Sequence, residues 1–137
     1  LVEHLTNDNY GIILGPFGAL MTLQYGLTQA PAAQPRNAIY GQFVSMSIAL
    51  LLHNALPSKS PFGPNLRAVV ATSAAVASMA KLGITHPPAA SSAWILSSMK
   101  VVNWQLFAMM LFGNAVAICL STFINNFSER RQYPIYW

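Results

Sequence analysis

The sequence is short of charged residues. Only 7% of its 137 residues are Asp, Glu, Lys or Arg, whereas about a quarter of a soluble domain is charged. The chain cannot build a charged, solvated surface, and its 54% hydrophobic content indicates a single domain integral to a membrane, residues 1–137. The net charge of +4 is therefore not a nucleic-acid signal, because anionic lipid head groups favour basic residues at helix ends.

Acidic residues are scarcer still. They are Glu3, Asp8 and Glu129, all in the terminal segments. The apolar part of the chain thus offers no carboxylate pair for acid–base catalysis and no Ser-His-Asp set. Cys119 is the single cysteine, which excludes an intrachain disulfide and a cysteine-based metal site. With three scattered histidines, these absences predict that the protein is not an enzyme and holds no metal.

Long apolar segments are present instead. A bilayer core needs roughly 20 apolar residues for a helix to cross it. Four segments approach that length: about 10–28, 37–56, 64–84 and 101–125. The third carries Arg67 and Lys81 near its ends, so it can span only if both cations reach the head groups. The predicted fold class is an all-α membrane bundle of about four transmembrane helices.

The third segment consists almost entirely of Ala, Ser, Thr and Val between positions 68 and 80. Small side chains allow helix backbones to approach closely in lipid. We therefore expect this helix at the centre of the bundle.

The C-terminal tail is aromatic and basic. Tyr133, Tyr136 and Trp137 follow Arg130 and Arg131. Aromatic rings beside cations are typical of a membrane–water interface, so the tail is predicted to form an interfacial belt.

The stretch THPPAASSAW, from Thr85 to Trp94, interrupts the apolar pattern. Two prolines cannot continue a helix but suit its first turn, which predicts a short re-entrant or broken helix over about 87–99. Its free N–H groups and positive dipole end would attract an anion. The motif GPFGA at 15–19 is a second Gly/Pro interruption, which can leave backbone groups free to line a cavity. Both interruptions predict a substrate path; the alternative is that both are packing kinks.

The candidate anion-binding residues lie in these two motifs and in QPRN. They are Gly15, Gly18, Arg36, Asn37, His86, Ala89, Ala90 and Ser91. His86 could bind an anion when protonated, relay a proton, or ligate a metal or pigment; its structural alternative is a capping hydrogen bond. Arg36 could balance an anion's charge or bind a lipid phosphate. Gln42 and Asn114 are expected to make hydrogen bonds between helices.

Four motifs, in order, resemble the HPP family of integral membrane proteins: GPFGA (15–19), AQPRNAIYGQ (33–42), THPPAA (85–90) and RRQYPIYW (130–137). The family is named for the His-Pro-Pro found here at 86–88. The tail is similar to the plant and algal branch, which resembles chloroplast proteins that carry nitrite. The resemblance implies a bundle of four or five spans and small-anion (nitrite-like) transport across a plastid membrane, envelope or thylakoid.

The chain also departs from that family. Many members have one more apolar helix before GPFGA, so an earlier N-terminal helix is expected to be missing here. Many carry glycine where this chain has Tyr40 and, after the prolines, Ala90 and Ser91. Loss of glycine where backbones approach closely predicts a narrower or closed cavity.

The alternative function is that of a non-transporting structural subunit in a larger photosynthetic membrane complex. Spans rich in Phe, Trp and small residues suit packing against helices or pigments. The pigment ligands would then be His53, His86 or Gln42, with chlorophyll or carotenoid as cofactor; a transporter would need no cofactor. The expected partners are the lipid bilayer, a small anion, and further copies of the chain or a larger complex, but no nucleic acid.

Overall fold

The computed structural model describes residues 14–56, 63–99 and 102–137, and that part of the chain contains helices and no strand. The elements in order are α1 (Leu14–Met21), a π-helical turn (Thr22–Gly26), a 3-10 turn (Pro31–Ala33), α2 (Pro35–Ala55), α3 (Gly63–Leu82), α4 (Pro87–Ser98) and α5 (Trp104–Asn125). The all-α prediction is confirmed. Glu3, Asp8 and the beginning of the first predicted span lie outside the described residues.

Proline and asparagine fix where three of the helices begin. Pro35 starts α2 and Pro87 starts α4, because proline needs no N–H partner in the first turn. Asn103 precedes α5, and its side-chain oxygen accepts the N–H of Leu106 at 2.9 Å, as a helix N-cap does. The short helix therefore begins at the first proline of His-Pro-Pro, as the sequence predicts.

The first apolar segment does not form one regular helix. Within the described residues its interruption lies at Thr22–Gly26, whereas Pro16 sits in the first described turn of α1. The Thr22 hydroxyl donates to the Gly18 carbonyl at 3.1 Å. Such a bond competes with the backbone ladder and accompanies bending. The predicted interruption at GPFGA lies at the start of the described residues and stays a prediction, and the π-helical turn is a further interruption that was not predicted.

The short helix α4 occupies the centre of the described bundle, against α1, α2 and α3. Small residues on several sides of it are buried: Ala89, Ser92, Ala93 and Ser97. The expectation that α3 lies at the centre is wrong. Only one face of α3 is buried, while Val69, Val70 and Val76 on its other faces are exposed. The helix α4 is central although it contains Trp94, Ile95 and Leu96, so richness in small residues alone does not identify the enclosed helix.

Among the described helices, α5 is the one long and apolar enough to cross a membrane by length and composition, with 22 residues and a mean hydropathy of 2.0. The helices α2 and α3 have 21 and 20 residues, which corresponds to about 30 Å. The four-span bundle stays a prediction.

One end of the bundle collects the residues that matter below, and we call it the His86 end. It contains the turn before α2, the end of α3 and the start of α4. The amide of Asn37 donates to the Thr85 carbonyl at 3.3 Å, which joins the first and last of these. From there α4 extends for only 12 residues, about 18 Å, whereas α2 has 21 residues.

Candidate functional site

His86 is completely buried at the start of α4. Its Nδ1 lies 2.7 Å from the carbonyl oxygen of Ala32. A carbonyl oxygen only accepts, so Nδ1 carries the proton, and Nε2 of the neutral ring is an acceptor. Nε2 is buried and has no hydrogen-bond partner among the described residues. The backbone thus orients the imidazole and leaves one basic nitrogen free inside the protein.

Gln42 contributes a second free acceptor. Its Nε2 donates to the Ser92 hydroxyl at 2.6 Å, and that hydroxyl donates to the Pro88 carbonyl at 3.2 Å. With the hydroxyl proton of Ser92 on the Pro88 carbonyl, the amide nitrogen of Gln42 faces Ser92. Gln42 Oε1 is buried without a partner in the described part of the chain.

A small cavity joins these two side chains. It offers about 10 Å³ to the centre of a water-sized sphere, close to the space that one water molecule needs. Its lining comprises Pro16, Phe17, Leu20, Gln42, His86, Pro88 and Asn114. The two Gly/Pro-rich motifs therefore meet, and the cavity lies where they do.

Gly41 allows α2 to approach His86. A Cβ atom at Gly41 would lie 2.8 Å from His86 Cβ, 3.1 Å from the Ile84 carbonyl oxygen and 3.2 Å from Met79 Sδ. Two of these neighbours belong to or adjoin the backbone and cannot rotate away. Glycine is therefore required at this position by packing.

The residues that replace family glycines lie away from the cavity. Tyr40 is 58% exposed. Ala90 and Ser91 line a separate, open groove of about 320 Å³ with Thr72, Trp94 and Ile95. None of these three residues lines the cavity at His86, so the predicted link between the lost glycines and a narrow cavity is wrong.

The proposed anion-binding residues divide into two groups. Asn37, His86 and Ala89 are buried together around the start of α4, whereas Gly15, Gly18, Arg36 and Ser91 are exposed. The guanidinium of Arg36 is therefore not part of the cavity lining.

The start of α4 also presents fewer amides than expected. Pro87 and Pro88 have no N–H, and the N–H of Ala89 donates to the His86 carbonyl at 3.0 Å. The expectation of free N–H groups is wrong at these three positions. The same prolines that start the helix remove its first donors.

Arg67 is a buried cation that the sequence analysis assigned to the head groups. It is 4% exposed. Its Nε donates to the Ser97 carbonyl at 2.6 Å, and its two terminal nitrogens donate to the carbonyls of Leu56 and Met99, each at 3.2 Å. Lys81, by contrast, is exposed.

The ends of α2 and α4 explain this use of Arg67. The last carbonyl groups of a helix have no partners within the helix, and its C-terminal end carries partial negative charge. Arg67 donates to carbonyls at the ends of both helices, Leu56 after α2 and Ser97 and Met99 at the end of α4. In the sequence, Arg67 is a cation within a segment barely long enough to span. Such a cation indicates pairing with buried polar groups at least as well as contact with lipid head groups.

The proposed pigment ligands differ in access. His86 and Gln42 lie inside the protein against a cavity of about 10 Å³, which cannot admit a chlorophyll ring, so these two residues do not fit that role. His53, near the end of α2, is partly exposed, and its Nδ1 is buried without a partner among the described residues. It is the one of the three whose position suits a ligand approaching from outside.

The C-terminal tail covers the His86 end. Tyr133 is completely buried, and its hydroxyl donates to the Ala33 carbonyl at 2.7 Å. The N–H of Ile135 donates to Gln34 Oε1 at 2.9 Å. The belt prediction is wrong for Tyr133, whose burial raises the pKa of its hydroxyl, although Trp137 is exposed. The tail thus holds the turn that supplies the Ala32 carbonyl to His86.

Comparison with known proteins supplies the remaining observation. The family model for the HPP transmembrane region matches residues 1–134. Two transmembrane proteins of Dictyostelium discoideum are each 28% identical to the chain, over 131 and 129 residues, which is 92% and 91% of the chain but 45% and 41% of those proteins. The chain spans less than half the length of these relatives. No solved structure matches it.

Proposed function

The chain belongs to the HPP family of transmembrane proteins, and from that premise we propose that it carries a small monovalent anion of the nitrite type across a membrane. The observation that carries the proposal is the water-sized cavity at His86, where the GPFGA and His-Pro-Pro motifs meet. An ionisable side chain buried inside a membrane bundle is a candidate functional residue, and His86 is such a side chain. The resemblance of the tail to the plant and algal branch favours a plastid envelope or thylakoid membrane. The scarcity of acidic residues favours a role other than catalysis.

Transport through this site requires α1 to move. The cavity holds about one water molecule, and nitrite is larger. Pro16, Phe17 and Leu20 of α1 cover it, and the π-helical turn Thr22–Gly26 follows directly. Such turns are common at functional sites in helices. Movement of α1 about this turn would widen the cavity while α2 and α4 hold His86 in place.

Nitrite uptake into proteoliposomes tests the proposal. The full chain is reconstituted, and internal nitrite is measured against empty vesicles of the same lipid. Replacement His86→Asn keeps an N–H at the position of Nδ1 for the Ala32 carbonyl and removes the free Nε2. The matched control is Ser73→Ala on an exposed part of α3.

We expect uptake by the native chain and the Ser73→Ala control, and uptake near background for His86→Asn. Arg36→Ala is expected to retain uptake, because Arg36 is exposed away from the cavity. Absence of uptake by the native chain would refute the transport function, and equal uptake by His86→Asn would refute the role of the histidine.

The second candidate function is that of a structural subunit in a larger photosynthetic membrane complex. The outer face of α5 favours it, since Phe112 and Phe123 are 72% and 64% exposed and aromatic rings are enriched where proteins associate. Gentle purification separates the candidates. Co-migration with a pigmented complex at fixed stoichiometry supports the subunit, and a free oligomer of the chain opposes it.

A further inference from the structure

The two free polar atoms at the cavity are both acceptors. Each is fixed by a hydrogen bond that ends on a backbone carbonyl: His86 through Ala32, and Gln42 through Ser92 and Pro88. Rotating the Gln42 amide would require the Ser92 hydroxyl to turn from the Pro88 carbonyl to the amide oxygen. The His86 ring cannot exchange its free acceptor for a donor without losing its bond to Ala32.

No positive charge balances these acceptors. Apart from His86 itself, the side chains that line the cavity, from α1, α2, α4 and α5, carry no ionisable group. Arg36 is exposed, and Arg67 donates to three carbonyls at the other end of α4. A bare anion in the cavity would face the lone pair of His86 Nε2 with no cation beside it, in a poorly solvated environment, which is strongly unfavourable. A hydrogen-bond donor would satisfy a buried acceptor that is otherwise unpaired.

We propose that the site takes the undissociated acid of a weak oxyacid, so that the anion crosses together with one proton. This inference rests on the proposed transport function. At one aqueous face nitrite binds a proton and becomes nitrous acid. Its O–H donates to His86 Nε2 or Gln42 Oε1 as it passes, and at the other face the acid releases the same proton. No electrons are transferred, and no net charge crosses the membrane.

The proposal also names the substrate class. A small fraction of the conjugate base of a weak acid carries a proton even near neutral pH, and this fraction rises as the pH falls, whereas chloride and nitrate are conjugate bases of strong acids and stay unprotonated. The site should therefore pass nitrite and formate and exclude chloride and nitrate, although all four are small monovalent anions.

The test measures nitrite uptake and internal pH together in proteoliposomes whose membrane potential is clamped with potassium and valinomycin. Empty vesicles of the same lipid report the passage of nitrous acid through the bilayer. After this background is subtracted, we expect one proton to enter with each nitrite. We also expect the initial rate to be unchanged when a potential of about 100 mV is reversed, although such a potential biases a single charge about 50-fold at equilibrium.

The possible outcomes separate the two claims. Uptake that accelerates with an inside-positive potential and brings no proton would overturn this inference and leave the transport function standing. Protein-dependent uptake of nitrate or chloride equal to that of nitrite would overturn it as well. No uptake above empty vesicles would refute both. The native chain alone decides each outcome, so the result does not depend on whether a variant folds.

Discussion

The Nδ1 atom of His86 lies 2.7 Å from the carbonyl oxygen of Ala32, a residue 54 positions earlier in the chain. This bond joins the start of α4 to the turn before α2. It also decides which nitrogen of the imidazole faces the cavity. A structural bond and a chemical property of the site therefore depend on the same pair of atoms.

Replacement of His86 should show which part of the ring stabilises the fold. His86→Ala leaves the partly buried Ala32 carbonyl without its donor, which costs up to about 1–3 kcal/mol of unfolding free energy. His86→Asn, whose amide nitrogen occupies the position of Nδ1, should lose less. Unfolding titrations in mixed detergent micelles, followed by circular dichroism, measure the difference. Equal losses in the two variants would contradict a stabilising role for the Ala32 bond.

Gly41→Ala should destabilise the chain. The added Cβ would lie 2.8 Å from His86 Cβ and 3.1 Å from the Ile84 carbonyl oxygen, and overpacking of this kind costs about 1–3 kcal/mol. Gly18→Ala is the matched control, since it is also helical and a Cβ there meets nothing within 4 Å. It should be neutral or stabilising by up to about 1 kcal/mol, because alanine favours the helix. The same unfolding titration measures both, and similar effects would refute the close approach at Gly41.

Local sequence rules predicted where α4 begins. Proline in a first turn acts through bonds within a few residues, so Pro87 could be interpreted without tertiary structure. The segments predicted from about 37 and 101 begin instead at Pro35 and Trp104. The two interrupted motifs were also expected to line one path, and the lining of the cavity includes Pro16 and His86.

Long-range partners could not be predicted in the same way. Arg67 lies 30 positions from Ser97, and Tyr133 lies 100 positions from Ala33. Each side chain is also one that commonly sits at a membrane interface. The residue type alone therefore favours an interfacial position for each. Only the tertiary structure shows that Arg67 meets the end of α4 and that Tyr133 meets the turn before α2.

Arg67 should be among the residues on which stability most depends. Arg67→Met removes the donors to three carbonyl oxygens, and loss of a buried charged donor of this kind should cost about 3 kcal/mol. Arg67→Lys keeps the charge but cannot reproduce the planar fork, so it should recover only part of the loss. Lys81→Met, on an exposed part of the same helix, is the control. A loss at Lys81 as large as that at Arg67 would show that general charge, not the carbonyl contacts, sets the effect.

Docking of the tail should fail at alkaline pH. Burial raises the pKa of the Tyr133 hydroxyl, because the phenolate would be poorly solvated beside the Ala33 carbonyl. A group whose pKa is raised on folding stabilises the folded state fully below its ordinary value of about 10, and that contribution is lost as the pH rises through the higher value. Tyrosinate absorbance should therefore show one late-titrating group that disappears in Tyr133→Phe and persists in Tyr136→Phe. If a late-titrating tyrosine persisted in Tyr133→Phe, the buried hydroxyl would not be its source. Protease digestion of the native chain tests whether the tail is released. A tail that stayed protected from protease above that pH would show that ionisation does not release it.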